Sequence, residues 1–184
     1  MSPQAFVDVA RTNPANAALL ERLPALGLPQ CHLVAGCLFQ AVWNARAGNT
    51  PDAGVHDYDI FYFDDSDLSW EAEDAVIRRV AALDLGILIE PRNQARVHLW
   101  YESRFGPGYP ALASARDGID RYLVECTCVG IEVASGALYA PYGLDDLEAG
   151  MLRINARNAR PDLFRAKAQS YRARWPWLTI VDPA

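Results

Sequence analysis

The sequence lacks the features of an exported or membrane-embedded protein. No stretch reaches the roughly 18 uninterrupted apolar residues of a membrane-spanning helix. The first residues, MSPQAFVDVARTNPAN, contain neither the basic nor the apolar segment of a secretion signal. Apolar residues still make up 51% of the 184 positions and charged residues 22%, which suits a folded chain with a real core. We therefore predict a soluble, cytoplasmic protein with one compact domain.

Two common kinds of site are also missing. The four cysteines, Cys31, Cys37, Cys126 and Cys128, stand in C-x5-C and C-x-C spacings, which do not match zinc-binding patterns. Without a secretion signal disulfides are not expected, so we predict buried thiols. The motif G-x-x-x-x-G-K-[ST] is absent, which excludes a Walker-type ATPase.

Positive charge is scarce except near one end of the chain. The formal net charge is −6, yet residues 151–175 hold seven basic residues and one acidic residue, a local sum of +6. An acidic body argues against broad, sequence-independent binding of nucleic acids. The basic segment predicts either a contact with a phosphate-bearing ligand or the solvated face of a helix.

Helical and extended patterns alternate along the chain, which predicts an α/β (α+β) fold with a small mixed sheet flanked by helices. We expect a single domain over 1–184, divided into a helical lead-in (1–30), a core (31–105) and an α/β extension with a basic helix (106–184). Helical patterns cover 13–28, 37–48, 69–83, 93–106, about 114–125, 144–151 and 161–178, and extended patterns cover 30–36, 57–64, 86–92, 126–133 and 137–143.

The stretch GVHDYDIFYFDD places two aspartates, Asp57 and Asp59, at the start of a β-prone run, where Asp is uncommon. Side chains two apart on a strand share one face, about 7 Å apart, so Tyr58 and Ile60 should face the opposite layer. Two carboxylates on one face repel each other unless a cation lies between them. The pattern therefore indicates either a magnesium site or two solvated aspartates at a strand opening.

The stretch LVAGCLFQAVWN, just upstream, predicts a strand, a turn at Gly36 and a helix. A glycine allows the backbone to approach a ligand closely, and a helix N-terminus offers free N–H groups to a phosphate. A phosphate-binding turn followed by a metal-binding strand indicates a site for a nucleoside triphosphate (NTP) with magnesium.

This order of elements resembles the nucleotidyltransferase superfamily of DNA polymerase beta. Within it, GCLFQAVWN, HDYDIFYFD, EPRNQARVHLWY and APYGLDDL resemble, in the same order, an uncharacterised bacterial nucleotidyltransferase-like family. The resemblance extends from about Cys31 to Leu178. It implies the nucleotidyltransferase fold and transfer of a nucleoside monophosphate (NMP) from an NTP to a hydroxyl, with two Mg²⁺ or Mn²⁺ ions. It specifies no acceptor, which could be a small molecule, a protein or RNA.

The resemblance implies that Asp57 and Asp59 bind the metal ions and that a third carboxylate on a neighbouring strand completes the site. Glu90, in the apolar stretch GILIEPR, is our choice for this third carboxylate. Alternatively, Glu90 is exposed at the strand end beside Pro91, or pairs with Arg92 or Arg96. The third carboxylate would then be Glu102 or Glu125.

The remaining candidates concern the nucleotide. Superfamily members usually have a serine after the turn glycine, whereas this chain has Cys37, and a thiol is a weak donor. Phosphate binding is then expected to depend on backbone N–H groups, with Gln40 and Asn44 one and two turns further on. Arg92 and Arg96 are candidates to neutralise the triphosphate. Trp100 either stacks on a base or packs in the core.

An alternative function keeps the fold without catalysis. The chain would then be a nucleotide-binding or metal-binding module, or an interaction module whose acidic face meets a basic partner.

Overall fold

A computed structural model describes residues 1–106 and 108–181. Its helices are α1 (Pro3–Arg11), α2 (Pro14–Arg22), α3 (Gly36–Ala47), α4 (Trp70–Ala81), α5 (Val97–Phe105), α6 (Ala115–Ile119), α7 (Asp145–Ala149) and α8 (Pro161–Arg174). Its strands are β1 (His32–Val34), β2 (Tyr58–Tyr62), β3 (Ile89–Asn93), β4 (Gly130–Glu132), β5 (Leu138–Tyr139), β6 (Met151–Leu152) and β7 (Thr179–Ile180). Position 107 and positions 182–184 of the predicted extension lie outside the described residues.

The first five strands form one mixed sheet in the order β3-β2-β1-β4-β5. Strands β2 and β3 run parallel, and the other neighbours in this sheet are antiparallel. Strands β6 and β7 form a small parallel pair of their own. The predicted fold class, a small mixed sheet flanked by helices, is confirmed.

Strand β2 separates its two faces as the sequence predicts. Tyr58 and Ile60 are buried in the main hydrophobic core, whereas Asp59 and Phe61 project from the other face and are partly buried. The acidic side chain is therefore kept out of the core by the two-residue period of the strand.

Helix α3 is buried along most of its length, with eight consecutive buried residues from position 37 to 44. It ends at Gly48, the last residue of the predicted helical pattern 37–48, whose positive φ of 74° suits a helix C-terminus. The ring of Trp43 packs 5.4 Å from that of Tyr171 and 5.2 Å from that of Trp175. Helix α8 and the residue after it therefore share the core that surrounds α3.

Helix α1 and strands β6 and β7 were not expected from the sequence. The Ser2 hydroxyl accepts a hydrogen bond from the Ala5 N–H, and Pro3 occupies the first turn, so the helix has a regular N-cap. Asn13 caps α2. Asn16, in the first turn of α2, is buried and donates to the carbonyls of Ala10 and Cys37.

All four cysteines are free and buried, as predicted. Within the described ranges, no helix combines the length and the apolarity needed to cross a lipid bilayer.

Candidate active site

The structure brings three of the predicted acids close together: Asp59 and Glu90 share one face of the sheet, whereas Asp57, which was expected on the strand, is exposed and lies just before β2. Asp59 and Glu90 are direct partners in the register of the parallel strands β2 and β3, and adjacent strands lie about 4.8 Å apart. Burial raises the pKa of Asp59 to about 7, and the negative charges of Asp57 and Glu90 act in the same direction. This combination of burial and like charge is typical of functional sites.

Two cations lie close to this cluster. The charges of Arg92 and Lys167 lower the pKa of Asp59, which offsets part of the rise. An Arg92 nitrogen donates to a Glu90 carboxylate oxygen at 2.9 Å, and each side chain is about one third exposed. The predicted alternative partner of Glu90, Arg92, is thus the one that the structure shows. Lys167 lies on α8, 108 positions after Asp59, so no local pattern in the sequence connects it to the acids.

The turn between β1 and α3 lies beside these acids, because Val34 at the end of β1 is the register partner of Asp59. Ala35 has φ 60° and ψ −129°, a conformation that is unusual for a residue with a side chain. Such backbone strain costs about 1–3 kcal/mol and is concentrated at functional sites. The strained residue of the turn is therefore Ala35 and not the glycine that follows it.

Gly36 has a different reason to be glycine. A Cβ added there would lie 2.7 Å from the side-chain nitrogen of Gln40, which folds back over the turn. The N–H groups of Leu38 and Phe39 bond to the carbonyl of Ala35. The first two N–H groups of α3 have no carbonyl one turn earlier in the helix and are available to an anion.

The side chain of Cys37 points into the core. It is fully buried, its sulfur lies 3.4 Å from the Val34 carbonyl oxygen, and burial raises the pKa of the thiol well above its usual value. Any contact of this residue with a phosphate would use its backbone N–H group.

The side chain of Asn44 already has hydrogen-bond partners within the protein. It is buried, its amide nitrogen donates to the carbonyls of Pro51 and Ala53, and its oxygen accepts from the indole of Trp175 at 3.0 Å. The predicted contact with a nucleotide has no free group on this side chain. Its visible role is to fasten the loop that leads to Asp57.

Gln40 and the same loop are connected through Arg174. The guanidinium of Arg174 donates to the Gln40 side-chain oxygen at 2.6 Å and to the Gly54 carbonyl at 2.9 Å. The Gln40 nitrogen remains beside Gly36. Of the two predicted amides, Gln40 is therefore the one placed to meet a phosphate at the turn.

Arg96 lies in a separate, buried ion pair. Its guanidinium bonds to Glu73 and donates to the Leu68 carbonyl at 2.8 Å. Glu73 is buried and also accepts from the Asn93 N–H at 2.8 Å. This set of bonds fixes α4 to the end of β3, and Arg96 would have to leave it to bind a triphosphate.

The two alternative acids lie elsewhere. Glu102 accepts a hydrogen bond from the Gly108 N–H, and Glu125 lies near Arg153 and Asp146. Neither is among the charges that act on Asp59.

A cavity of about 510 Å³ opens next to the acids, and the sequence did not predict it. Phe61, two residues after Asp59 on the same face of β2, lines it together with Tyr122. The two rings stack with centroids 5.8 Å apart. The Tyr122 hydroxyl is buried without a partner in the described part of the chain. Its pKa is raised well above the usual value, first by burial and then by the charge of Asp59.

The acids suit a cation that is shared with a substrate. Among the described residues, no three acidic, histidine or cysteine side chains are grouped as a complete metal site. Mg²⁺, however, is usually held by one or two carboxylates with waters and substrate phosphates. Asp57 and Asp59 fit this mode, because burial and like charge already disfavour the anionic form of Asp59.

Comparisons with known proteins agree with this architecture. A solved NMR structure, described as revealing a CCA-adding enzyme head domain, is 25% identical to this chain with a TM-score of 0.78. The match covers 99% of this chain and 97% of that one. Curated proteins give no match. The family described as Nucleotidyltransferase matches residues 21–180, so the chain belongs to that nucleotidyltransferase family.

Proposed function

We propose that the protein transfers an NMP from an NTP to the hydroxyl group of an acceptor, with Mg²⁺ or Mn²⁺ as cofactor. Membership of the nucleotidyltransferase family implies the NTP substrate. The observation that carries the proposal is that Asp59 and Glu90 share one sheet face beside the N-terminus of α3, with the charge of Asp57 acting on Asp59.

In this proposal the backbone N–H groups at the start of α3 and the amide of Gln40 hold the terminal phosphates. Asp57 and Asp59 would hold the two metal ions, with Glu90 as a third carboxylate in place of its bond to Arg92. When bound, these ions would stabilise the attacking and leaving oxygens of an in-line displacement.

The reaction exchanges one phosphorus–oxygen bond for another. The acceptor oxygen bonds to the α-phosphorus, the bond from that phosphorus to the bridging oxygen breaks, and pyrophosphate leaves. The Glu90 carboxylate takes the hydroxyl proton. Arg92 and Lys167, the two cations beside Asp59, limit the negative charge that gathers at the site.

A non-catalytic nucleotide-binding role is the second candidate, and two observations favour it. Glu90 is engaged by Arg92, and Cys37 contributes no side-chain donor. This role predicts NTP binding without release of pyrophosphate in the presence of any hydroxyl compound.

Titration calorimetry with Mg²⁺ and α,β-methylene analogues of the common ribonucleoside triphosphates tests the shared-metal site. Asp59→Asn should weaken binding at least about tenfold, because it removes a charged ligand of the metal. Asp65→Asn, an exposed acid just beyond the same strand, is the matched control and should bind as the wild type does. Equal affinity in wild type and Asp59→Asn would refute the proposal.

A further inference from the structure

The acids stand between two different surfaces along β2. Strand β1 runs antiparallel to β2 and Val34 pairs with Asp59, so the turn that follows β1 lies toward the Asp57 end. The cavity begins at the other end, where Phe61 pairs with Arg92 of β3 and both residues line it. The phosphate-binding turn and the cavity are thus on opposite sides of the carboxylates.

The cavity has the size of a site for an entire small molecule. Its volume of about 510 Å³ lies within the ~300–1,000 Å³ that is typical of such sites. Aromatic and aliphatic side chains make up most of its wall, and α8 covers one side. The wall includes Phe61, Val97, Trp100, Tyr101, Tyr109, Tyr122, Leu123, Leu163 and Ala166.

The charged groups of the described wall are all cationic. Arg92, Arg121 and Lys167 line the cavity, and no acidic residue is among the described lining residues. Such a wall disfavours a polycationic ligand and suits a neutral or anionic one. Asn158 and Ser170 also line the cavity and add polar side chains to its wall.

We infer that this cavity binds the acceptor, and that the acceptor is a compact hydroxyl compound with a flat, apolar body and no positive charge. The inference rests on the proposed function. An in-line displacement requires the attacking oxygen to approach opposite the leaving pyrophosphate. If the α3 turn holds the phosphates that leave, the attacking hydroxyl must come from the Phe61 side, where the cavity lies.

The probe for this site is anilinonaphthalene sulfonate, a flat, aromatic and anionic dye, titrated into the folded protein by fluorescence. Two tryptophan variants on exposed positions of α8 form the matched pair. Ala166→Trp places a large ring in the cavity and should weaken dye binding about tenfold or more, because the apolar space is filled. Gln169→Trp, which is outside the cavity lining, should leave dye affinity unchanged.

The second measurement is the affinity of the α,β-methylene NTP analogues with Mg²⁺, with and without saturating dye. The acceptor assignment expects analogue and dye to bind together, and analogue affinity to be the same in Ala166→Trp and wild type. Competition between them, or loss of analogue binding in Ala166→Trp alone, would show that the cavity holds the nucleoside and would overturn the assignment. Failure of the dye to bind wild type, or equal losses in the two variants, would also overturn it.

A different result separates the two hypotheses. If the wild type binds the dye but none of the analogues, the proposed function itself is wrong and the acceptor assignment falls with it. If the analogues bind and the dye fails any of the tests above, the nucleotidyltransferase proposal stands and only the assignment of the cavity is wrong.

Discussion

Glu73 and Asp59 both lie against strand β3, but the charges around them differ. Glu73 is buried with a full set of partners, namely Arg96 and the N–H group of Asn93. Asp59 lies beside Glu90 and Asp57, and its pKa rises to about 7. A buried acid that keeps its countercharge is tolerated by a fold, and removal of one partner is destabilising, whereas an acid placed beside other acids lowers stability unless a cation binds. The comparison therefore separates a structural charge from a functional one.

Removing the charge of Glu73 should give the largest change in stability. Glu73→Gln leaves the Arg96 guanidinium buried without its countercharge, and loss of one partner from a buried pair costs about 3–5 kcal/mol. Urea denaturation at neutral pH measures this loss. The control is Asp74→Asn, whose exposed pair with Arg78 within α4 should contribute less than about 1 kcal/mol. Similar losses in the two variants would contradict the distinction.

Removing the charge of Asp59 should instead raise the free energy of unfolding. At pH 8 without divalent metal, Asp59→Asn should unfold with a free energy about 1–3 kcal/mol higher than wild type, since it removes a partly buried charge that its neighbours repel. Thermal denaturation in the presence of a chelator checks this. Asp65→Asn should leave the melting temperature unchanged, and a fall in that of Asp59→Asn would mean that the acid has a stabilising partner.

A third ionisable group should make stability depend on pH. His32 is buried, its Nδ1 lies 2.7 Å from the Gln30 carbonyl oxygen, and its Nε2 has no described partner. Burial lowers its pKa; Glu132 opposes this effect and Arg116 adds to it.

Because the unfolded chain then binds a proton more readily at His32, this residue should lower the free energy of unfolding as the pH drops below about 6.5, by at most about 1.4 kcal/mol per pH unit. Asp59, whose pKa is raised to about 7, acts in the opposite direction over the same range, so the slope is measured in the Asp59→Asn background by urea denaturation between pH 7 and pH 5. In that background His32→Asn, which keeps a donor near Gln30, should flatten the slope, and His56→Asn, at an exposed position, should leave it unchanged. An unchanged slope in His32→Asn would exclude His32 as its source.

Cys37→Ser should give the smallest change. The thiol is fully buried against the Val34 carbonyl, and a serine hydroxyl can donate to that oxygen, so we expect a loss of about 1 kcal/mol or less. Analogue affinity should not rise, because the side chain points away from the turn. Cys37→Val is the comparison, and a severalfold gain in affinity for the serine variant alone would show that position 37 reaches the phosphates.

The sequence was informative where local chemistry decides the structure. The alternation around Asp59 and the stop at Gly48 follow from local periodicity and backbone preference, and both agree with the structure. The structure also places Asp59 beside Glu90, as a shared site requires, although their roles in binding and catalysis stay predictions.

The features that the sequence did not predict depend on contacts between distant segments of the chain. Asn44 looked like a ligand by its position one helical turn after Gln40, yet its partners are loop carbonyls and Trp175, which no local pattern reveals. The cavity next to Phe61 has the same origin, since one of its walls comes from α8.

The bonds of Arg174 have a consequence for how the protein is made. This residue, at the end of α8, holds Gln40 and the loop before Asp57, while Lys167 from the same helix acts on Asp59. During synthesis, strands β1 to β3 leave the ribosome long before α8. The nascent chain can pair these strands early, but it cannot complete the site until α8 has docked. A chain released before α8 has been synthesised should therefore be inactive.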